Sequence, residues 1–119
     1  LNDYYSKHVN GKHGEVDVRA TSKVTEYQDL KELLAYLNRR KVDAIFVMQP
    51  LNPYHYTNLK TLNPLLEEIK NEVEQYNFPY LDMTVIDSNK YELGTLQDIM
   101  HLGDLGWIRV NDFIIEHHN

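Results

Sequence analysis

The feature that most constrains the fold of this chain is a compact, mainly apolar run at residues 42–48, VDAIFVM, which ends just before Pro50. Strands with one solvated face alternate apolar and polar side chains, whereas a nearly continuous apolar run is typical of a strand buried on both faces. Such strands occur in parallel sheets that lie between helices. The run therefore predicts an α/β fold.

A helix is predicted on each side of this strand. After Thr25, apolar side chains recur at helical spacing until Arg39 or Arg40, where positive charges suit the negative end of a helix dipole. A second helix is predicted to begin at Asn63 and Pro64, with Asn63 as its cap and Pro64 in its first turn. The apolar stripes of the two helices are Tyr27, Leu30, Leu33, Leu34 and Leu37, and Leu65, Leu66, Ile69, Val73 and Tyr76.

The remaining segments complete one domain. A second strand is predicted at residues 80–85, and a last helix is expected from about Asp104. Residues 1–25 are predicted to be mostly irregular, because their apolar side chains have no clear period. Two strands joined by a helical crossover form a parallel unit, so residues 1–119 are predicted to be a single α/β domain with a parallel sheet flanked by helices. The side chains expected to pack the last helix are Trp107, Val110, Phe113 and Ile114.

The composition excludes several classes of function. A net charge of −6 argues against non-specific nucleic-acid binding, because such binding needs Lys and Arg to neutralise phosphates. The chain has no cysteine, which excludes disulfides, thiol chemistry and Cys-ligated zinc. No apolar run approaches the roughly 18 residues that a membrane-spanning helix needs. The first residue is Leu1 rather than Met, which suggests a processed protein or a fragment.

The strongest candidate for chemistry is the pair Asp98 and His101, which follows the last predicted strand. An Asp three residues before a His can fix the tautomer of the imidazole through one ring nitrogen and leave the other nitrogen as a general base. Gly103 and Gly106 follow directly and permit a close approach of the backbone. On spacing alone, an Asp and a His in a polar loop are more often a coincidence than a catalytic pair. The neighbouring residues are therefore needed to distinguish the two.

A second candidate region is the loop of residues 49–61, which leaves the carboxyl end of the first predicted strand. Open α/β sheets place their ligand sites at this edge. His55, between Tyr54 and Tyr56, can line a polar substrate site, although a surface loop whose aromatic side chains partly cover the core explains these residues equally well. The residues that we assign to substrate binding are Asn52, Tyr54, His55, Tyr56 and Trp107.

No nucleophile is visible beside this base. None of the three serines follows a strand in a Gly-x-Ser-x-Gly turn, which would expose the hydroxyl group. His8 and His13 lack the i, i+4 spacing of a helical metal pair, and His117 and His118 fit a frayed C-terminus, so no metal site is predicted. The serines are Ser6, Ser22 and Ser88.

The block Asp98-Ile99-Met100-His101-Leu102-Gly103, followed by Gly106-Trp107, resembles the C-terminal block of the D-alanyl-lipoteichoic acid transfer proteins, the DltD family. Members typically have Asp-x-x-His-Leu/Ile-Gly-Trp-x-Gly-Trp there. Asp104 stands where members often have Trp, which alters the rim of the site. The resemblance covers roughly residues 27–117. Its other parts are Glu26–Leu30 with its helix, the strand at residues 44–48, Pro50-Leu51-Asn52 with Tyr54 and Tyr56, the second helix, and the strand around Leu81–Met83.

This resemblance implies a flavodoxin-like α/β fold of the SGNH-hydrolase type, of which the chain is the C-terminal portion. It implies a Ser-His-Asp triad in which Asp98 is the carboxylate and His101 is the base. The seryl hydroxyl would accept D-alanine and pass it to a hydroxyl of teichoic acid. In the family this serine lies near the start of a longer protein, after a membrane anchor, so we predict that the chain alone has no hydrolase or transferase activity.

The resemblance also implies a location outside the cytoplasm, at the membrane of a Gram-positive cell, through an anchor that precedes this chain. The implied partners are teichoic acid and the machinery that carries D-alanine, with no cofactor, no metal and no nucleic acid. A sheet that lacks a flanking strand exposes an unpaired edge, so a homodimer or a strand-exchanged assembly is expected as well.

Two other hypotheses stay open at this point. One is a non-catalytic α/β binding module that contacts a polymer or a protein through residues 54–56. The other is an intracellular metal-dependent hydrolase, which predicts thermal stabilisation by zinc or manganese. The sequence upstream of Leu1 distinguishes the binding module from the acyltransferase, because only the latter needs a Gly-x-Ser block after a strand and an apolar N-terminal helix.

Overall fold

The computed structural model describes residues 13–17 and 25–117. These residues form the helices and strands α1 (Thr25–Arg39), β1 (Phe46–Met48), α2 (Asn63–Glu74), β2 (Tyr80–Asp82) and α3 (Asp104–Glu116). Two short 3-10 turns, Leu59–Leu62 and Ser88–Lys90, lie in the connections. The predicted order of helix, strand, helix, strand, loop and helix is confirmed.

The two strands form a parallel sheet, in register from Phe46 opposite Tyr80 to Met48 opposite Asp82. The predicted α/β fold with a parallel sheet is therefore confirmed. Each strand has three residues, so the predicted limits of 42–48 and 80–85 are too wide. The residues of β1 are half-buried rather than fully buried, because β1 pairs only with β2 within the described ranges.

A residue with a positive φ angle follows each of the two helices that precede a strand. α1 ends at Arg39, as predicted, and Lys41 follows with φ at 55°. The amide of Val42 then donates to the carbonyl oxygen of Leu37 at 3.0 Å, which satisfies one of the last free carbonyls of the helix. Asn77, shortly after α2, has φ at 62°. These residues turn the chain sharply from each helix toward the next strand.

Asn63 does not cap α2, contrary to the prediction. Its backbone is already helical, with φ −51° and ψ −44°, because the 3-10 turn of residues 59–62 runs directly into the helix. A capping side chain needs a non-helical backbone to reach the first free amides, and no such side-chain hydrogen bond forms here. Pro64 does lie in the first turn, as predicted.

The helices cover the sheet in sequence: α1 packs against α2, and α2 packs against β2. Leu34 of α1 and Val73 of α2 are almost completely buried between these elements. The predicted stripes therefore face the core, although Leu33 at the edge of the α1 stripe is 46% exposed.

The last helix begins where it was predicted but packs fewer side chains than expected. Phe113 is buried and Val110 is half-buried, whereas Trp107 is 60% exposed and Ile114 is 46% exposed. At 100° per residue, Trp107 and Ile114 share one side of the helix, away from Gly106 and Phe113. The prediction that Trp107 and Ile114 pack in the core is wrong, because α3 buries the side that carries Gly106 and Phe113, about 100° around the helix.

Residues 13–17 lie along the loop that follows β1. Gly14 forms a parallel bridge with Tyr56, and the side chain of Asn58 hydrogen bonds to both the amide and the carbonyl of Val16, each at 2.8 Å. Most of the region predicted to be irregular, residues 1–25, lies outside the described ranges.

Candidate active site

The loop of residues 96–102, here called the base loop, holds the predicted catalytic pair. Its ends form an antiparallel bridge, and the amide of Gln97 donates to the carbonyl oxygen of His101 at 2.8 Å. Inside the loop, Oδ1 of Asp98 accepts hydrogen bonds from the amides of Met100 (2.9 Å) and His101 (2.6 Å). Asp side chains favour turns of this kind, so Asp98 contributes to the shape of the loop that contains it.

The side chains of Asp98 and His101 contact each other. Oδ2 of Asp98 lies 2.7 Å from Nδ1 of His101. A carboxylate only accepts hydrogen bonds, so in a neutral imidazole Nδ1 carries the proton and Nε2 keeps its lone pair. The Asp98 side chain is 17% exposed, whereas that of His101 is 67% exposed. An oriented imidazole that is accessible from solvent is the arrangement of a general base with its supporting carboxylate.

The surroundings of Asp98 keep it ionised. Partial burial raises the pKa of its carboxyl group, but hydrogen bonds from the amides of His101 and Met100 and from the imidazole of His101 together lower that pKa by more. The net pKa lies below the ordinary value of 3.8. Asp98 is therefore a carboxylate at neutral pH, and it can stabilise the positive charge that forms when His101 takes up a proton.

Two glycines hold the start of α3 close to the preceding turn. A Cβ atom on Gly103 would overlap the carbonyl oxygen of Gly94, and one on Gly106 would overlap that of Thr95. This close approach lets the amide of Gly103 donate to the carbonyl oxygen of Thr95 at 2.9 Å, and that of Leu105 to Gly94 at 3.1 Å. The predicted close approach of the backbone is confirmed, and it fixes one end of the base loop.

A small apolar cluster supports the base loop. Tyr91 and Leu96 are buried, and Val85, Ile99 and Leu102 pack against them. The hydroxyl oxygen of Tyr91 accepts a hydrogen bond from the amide of Leu96 at 3.0 Å. Burial raises the pKa of the Tyr91 phenol, so this group stays protonated. The cluster thereby anchors the first residue of the base loop.

Asn52 links the base loop to the segment of residues 49–58, here called the tyrosine loop. Its side chain is completely buried. Nδ2 of Asn52 donates to the carbonyl oxygen of Asp98 at 3.1 Å, and Oδ1 accepts from the amide of Tyr54 at 2.9 Å. The amide of Asn52 donates to the carbonyl oxygen of Ile99 at 3.2 Å. The sequence predicted direct contact with substrate, whereas the structure uses both polar atoms of this side chain inside the protein.

The three aromatic residues of the tyrosine loop lie close together. The amides of His55 and Tyr56 both donate to the carbonyl oxygen of Asn52, at 3.1 and 3.0 Å. The ring of His55 packs edge-on against Tyr56, with 4.7 Å between the ring centroids. Tyr54 packs edge-on against Tyr91 at 6.0 Å. Tyr54 is thus in contact with the cluster that supports the base loop.

An open groove of about 430 Å³ runs along the tyrosine loop. Tyr54 and Tyr56 line it together with Lys60 of the neighbouring 3-10 turn. Although the chain is acidic overall, the described lining of the groove contains no Asp or Glu. Hydroxyl groups and an ammonium group are donors that bind anionic oxygens. The other polar side chains of the lining are His13, Thr57 and Ser88.

Trp107, the remaining residue assigned to substrate binding, lies on the exposed side of α3, one turn after Gly103. A larger open cavity of about 570 Å³ lies at the other edge of the sheet, where residues 44–45 and Pro79 lead into the strands. It contains none of the predicted site residues. Since ligand sites of α/β sheets lie at the carboxyl ends of the strands, the smaller groove is the better candidate.

Three residues that shape the site were not predicted. The side-chain amide of Gln49 donates to the carbonyl oxygen of Met100 in the base loop. Gln49 directly follows β1. Its position at the carboxyl end of a predicted strand could have identified it as a site residue from the sequence. Tyr91 and Lys60 lie in connections without hydrophobic periodicity, and their roles arise only from tertiary contacts.

Ser88 is a turn residue, as predicted. It begins the second 3-10 turn, in which Oδ1 of Asp87 accepts a hydrogen bond from the amide of Asn89 at 2.9 Å. The predictions for Ser6, Ser22, His8 and His118 concern residues outside the described ranges.

Within residues 13–17 and 25–117, no three side chains of His, Asp or Glu lie where they could share a metal ion. The same residues include no helix with the length and apolar character that crossing a membrane requires.

Comparison with known proteins agrees with the resemblance seen in the sequence. A comparison with curated proteins and one with solved structures found no match. The family model described as DltD protein matches residues 1–119. The chain therefore belongs to the DltD family, whose members take part in the D-alanylation of teichoic acids at the cell envelope.

Proposed function

We propose that this chain supplies the carboxylate and the base of a seryl acyltransferase that places D-alanine on teichoic acid. The observation that carries the proposal is the 2.7 Å contact between Asp98 and His101, which leaves Nε2 of an exposed imidazole free to accept a proton. Membership of the DltD family supplies the class of reaction. The serine is expected in a part of the protein that precedes this chain, as the family resemblance implies.

In the first half of the proposed reaction, Nε2 of His101 takes the proton of the seryl hydroxyl. The seryl oxygen attacks the carbonyl carbon of an activated D-alanyl ester or thioester. The bond to the donor breaks, and the departing oxygen or sulfur takes the proton from His101. The product is a D-alanyl ester of the serine. During this step, the negative charge of Asp98 stabilises the imidazolium ion of His101.

In the second half, His101 acts on the acceptor. Nε2 takes the proton of a polymer hydroxyl, whose oxygen attacks the D-alanyl ester. The bond to the serine breaks, and His101 returns the proton to the seryl oxygen. The polymer leaves as a D-alanyl ester, and the site returns to its starting state. No cofactor takes part in either half of this proposed cycle.

The groove along the tyrosine loop supports an anionic polymer as the acceptor. Lys60 and the tyrosine hydroxyls provide positive charge and hydrogen-bond donors, and the described lining has no carboxylate to repel phosphate groups. We assign acceptor binding to Tyr54, Tyr56 and Lys60 in the groove. His55 and Trp107 are proposed as further substrate contacts, since His55 is partly exposed in the tyrosine loop and Trp107 is exposed on α3. Such a site belongs outside the cytoplasm, at the membrane that holds the polymer.

The test is D-alanyl transfer by a protein that contains this chain together with its serine. His101→Ala is expected to lower the rate by about 10² to 10⁴-fold, because it removes general acid–base catalysis. Asp98→Asn is expected to lower it as well, because it removes the charge that supports the imidazolium. The readout is D-alanine released from the polymer by mild base. Glu116→Gln, at the exposed end of α3, is the control and should leave the rate unchanged. Full activity of His101→Ala contradicts the proposal.

The groove also favours a second candidate, a non-catalytic module that binds an anionic polymer. This candidate predicts that Lys60→Ala weakens binding of the polymer, whereas His101→Ala has no effect on any function of the protein. Loss of transfer in His101→Ala with polymer binding retained rejects the second candidate.

A further inference from the structure

We infer that Asn52 is a positioning residue, which fixes the orientation of the Asp98–His101 pair and couples it to the tyrosine loop. The inference rests on the proposed function, because it assigns a role within the same site.

Asn52 and Thr95 are the polar side chains buried in the described core, with 0% and 2% exposure. Burying an amide without partners is unfavourable, so the hydrogen bonds of such a side chain decide whether it is tolerated. Thr95 satisfies its hydroxyl group within its own turn, at Glu92. Asn52 instead reaches across 46 residues of sequence to Asp98.

Asn52 contacts the base loop at Asp98, the residue that orients His101. Its Nδ2 and its backbone amide hold two consecutive carbonyl groups of the base loop, those of Asp98 and Ile99. The carbonyl carbon and the Cβ atom of Asp98 are both bonded to its Cα atom. Fixing the peptide of Asp98 therefore fixes the Cα–Cβ bond from which the carboxylate extends, and the carboxylate in turn contacts Nδ1 of His101.

The oxygen atoms of Asn52 contact the tyrosine loop. Oδ1 of Asn52 accepts from the amide of Tyr54, and its carbonyl oxygen accepts from the amides of His55 and Tyr56. One residue thus holds the loop that lines the groove and the loop that carries the base. A displacement of the tyrosine loop by a ligand acts on the base loop through this side chain.

The test uses the 119-residue chain and does not require activity. Two-bond ¹H–¹⁵N spectra of His101 report which ring nitrogen carries the proton. In the wild type at a pH where the imidazole is neutral, we expect the proton on Nδ1. Asn52→Leu keeps a similar volume but removes every side-chain hydrogen bond, and it should shift His101 severalfold toward the Nε2–H tautomer. Gln49→Ala, which removes another link to the base loop, should produce a smaller shift in the same direction.

Thr95→Val is the matched control. Like Asn52→Leu, it removes a buried polar group and destabilises the fold, but the hydrogen bond that it loses, from Thr95 to Glu92, lies outside the base loop, so the tautomer of His101 should not change. An unchanged tautomer in folded Asn52→Leu overturns the inference. An equal shift in Thr95→Val does so as well, since the effect would then be general destabilisation.

A measurement on the wild type keeps the inference testable if Asn52→Leu does not fold. The side-chain amide protons of Asn52 should exchange with solvent at least 10²-fold more slowly than those of the exposed Asn111. Exchange at the same rate as Asn111 overturns the inference. Neither readout depends on D-alanyl transfer, so a failure of the proposed function and a failure of this inference are distinguishable.

Discussion

At the scale of single residues, Asp98 uses the two oxygens of one carboxylate for two purposes. Oδ1 accepts the amides of Met100 and His101 and so shapes the base loop, whereas Oδ2 orients the imidazole of His101. The loop and the base are therefore not independent features. Any substitution of Asp98 is expected to affect both the stability of the loop and the chemistry of the site.

The lowered pKa of Asp98 predicts a loss of stability in acid. Because folding favours its ionised form, the stabilising contribution is complete above the ordinary value of 3.8 and is lost as the pH falls through the folded pKa. The free energy of unfolding, measured with urea from pH 7 downward, should therefore fall more steeply in acid for the wild type than for Asp98→Asn. At neutral pH the variant should be less stable by about 1–3 kcal/mol, since it loses hydrogen bonds to a charged group. Parallel pH curves for the two proteins would contradict this account.

At the scale of elements, the sequence predicted what depends on local pattern. The helices have apolar stripes of helical period. The end of α1 at Arg39 and the start of α3 at Asp104 both lie within one residue of the predicted positions. The strand limits were too wide, because a strand extends only as far as its neighbour offers hydrogen bonds. The predicted roles of Asn63 and Trp107 were also wrong because of contacts that local pattern does not show. Asn63 does not cap α2 because a 3-10 turn runs directly into the helix. Trp107 is exposed because the rest of the fold covers another side of α3.

In the candidate site as well, contacts that are local in the sequence could be predicted and long-range contacts could not. The contact between Asp98 and His101 could be expected from their spacing, because the hydrogen bonds that Asp98 makes inside the base loop are local. The side-chain contacts of Asn52 and Gln49 with that loop span 46 and 51 residues, so no local pattern could reveal them.

The junction between α3 and the preceding turn predicts the effect of Gly106→Ala. Alanine is favoured over glycine inside a helix by about 1 kcal/mol. Its Cβ atom would nevertheless overlap the carbonyl oxygen of Thr95, which belongs to the backbone and cannot rotate away. The overlap should dominate and lower the free energy of unfolding by about 1–3 kcal/mol, measured with urea.

Asn111→Ala, on the exposed side of the same helix, is the control for the gain in helix propensity. It should leave stability unchanged or raise it slightly. If Gly106→Ala is as stable as Asn111→Ala, the close contact between α3 and Thr95 does not exist in solution.

At the scale of the whole molecule, the described chain is a thin slab of 47 × 35 × 19 Å. Its radius of gyration of 15.6 Å exceeds the roughly 13 Å of a compact domain of about 100 residues. A sheet with two strands of three residues gives little area for helices to cover. Accordingly, α3 leaves a row of large apolar side chains exposed on one side: Trp107, Ile108, Ile114 and Ile115.

This shape supports the prediction that the chain self-associates. Exposed apolar area and the edges of a small sheet both favour pairing with another copy. Sedimentation equilibrium should show a dimer or a larger assembly whose population rises with concentration. Ile108→Glu combined with Ile115→Glu should shift the equilibrium toward the monomer, because both changes place charge on the exposed row. A wild type that stays monomeric at high concentration would show the prediction to be wrong.

His101 is proposed to activate a serine that is supplied from outside this chain. The most direct test is labelling with a fluorophosphonate, which reacts with activated serines, followed by mass spectrometry of the labelled peptide. The isolated 119-residue chain should carry no label. In a protein that contains the chain together with its preceding segment, one serine of that segment should be labelled, and the label should be lost in His101→Ala. Label on Ser88 of the isolated chain that disappears in His101→Ala would contradict the account.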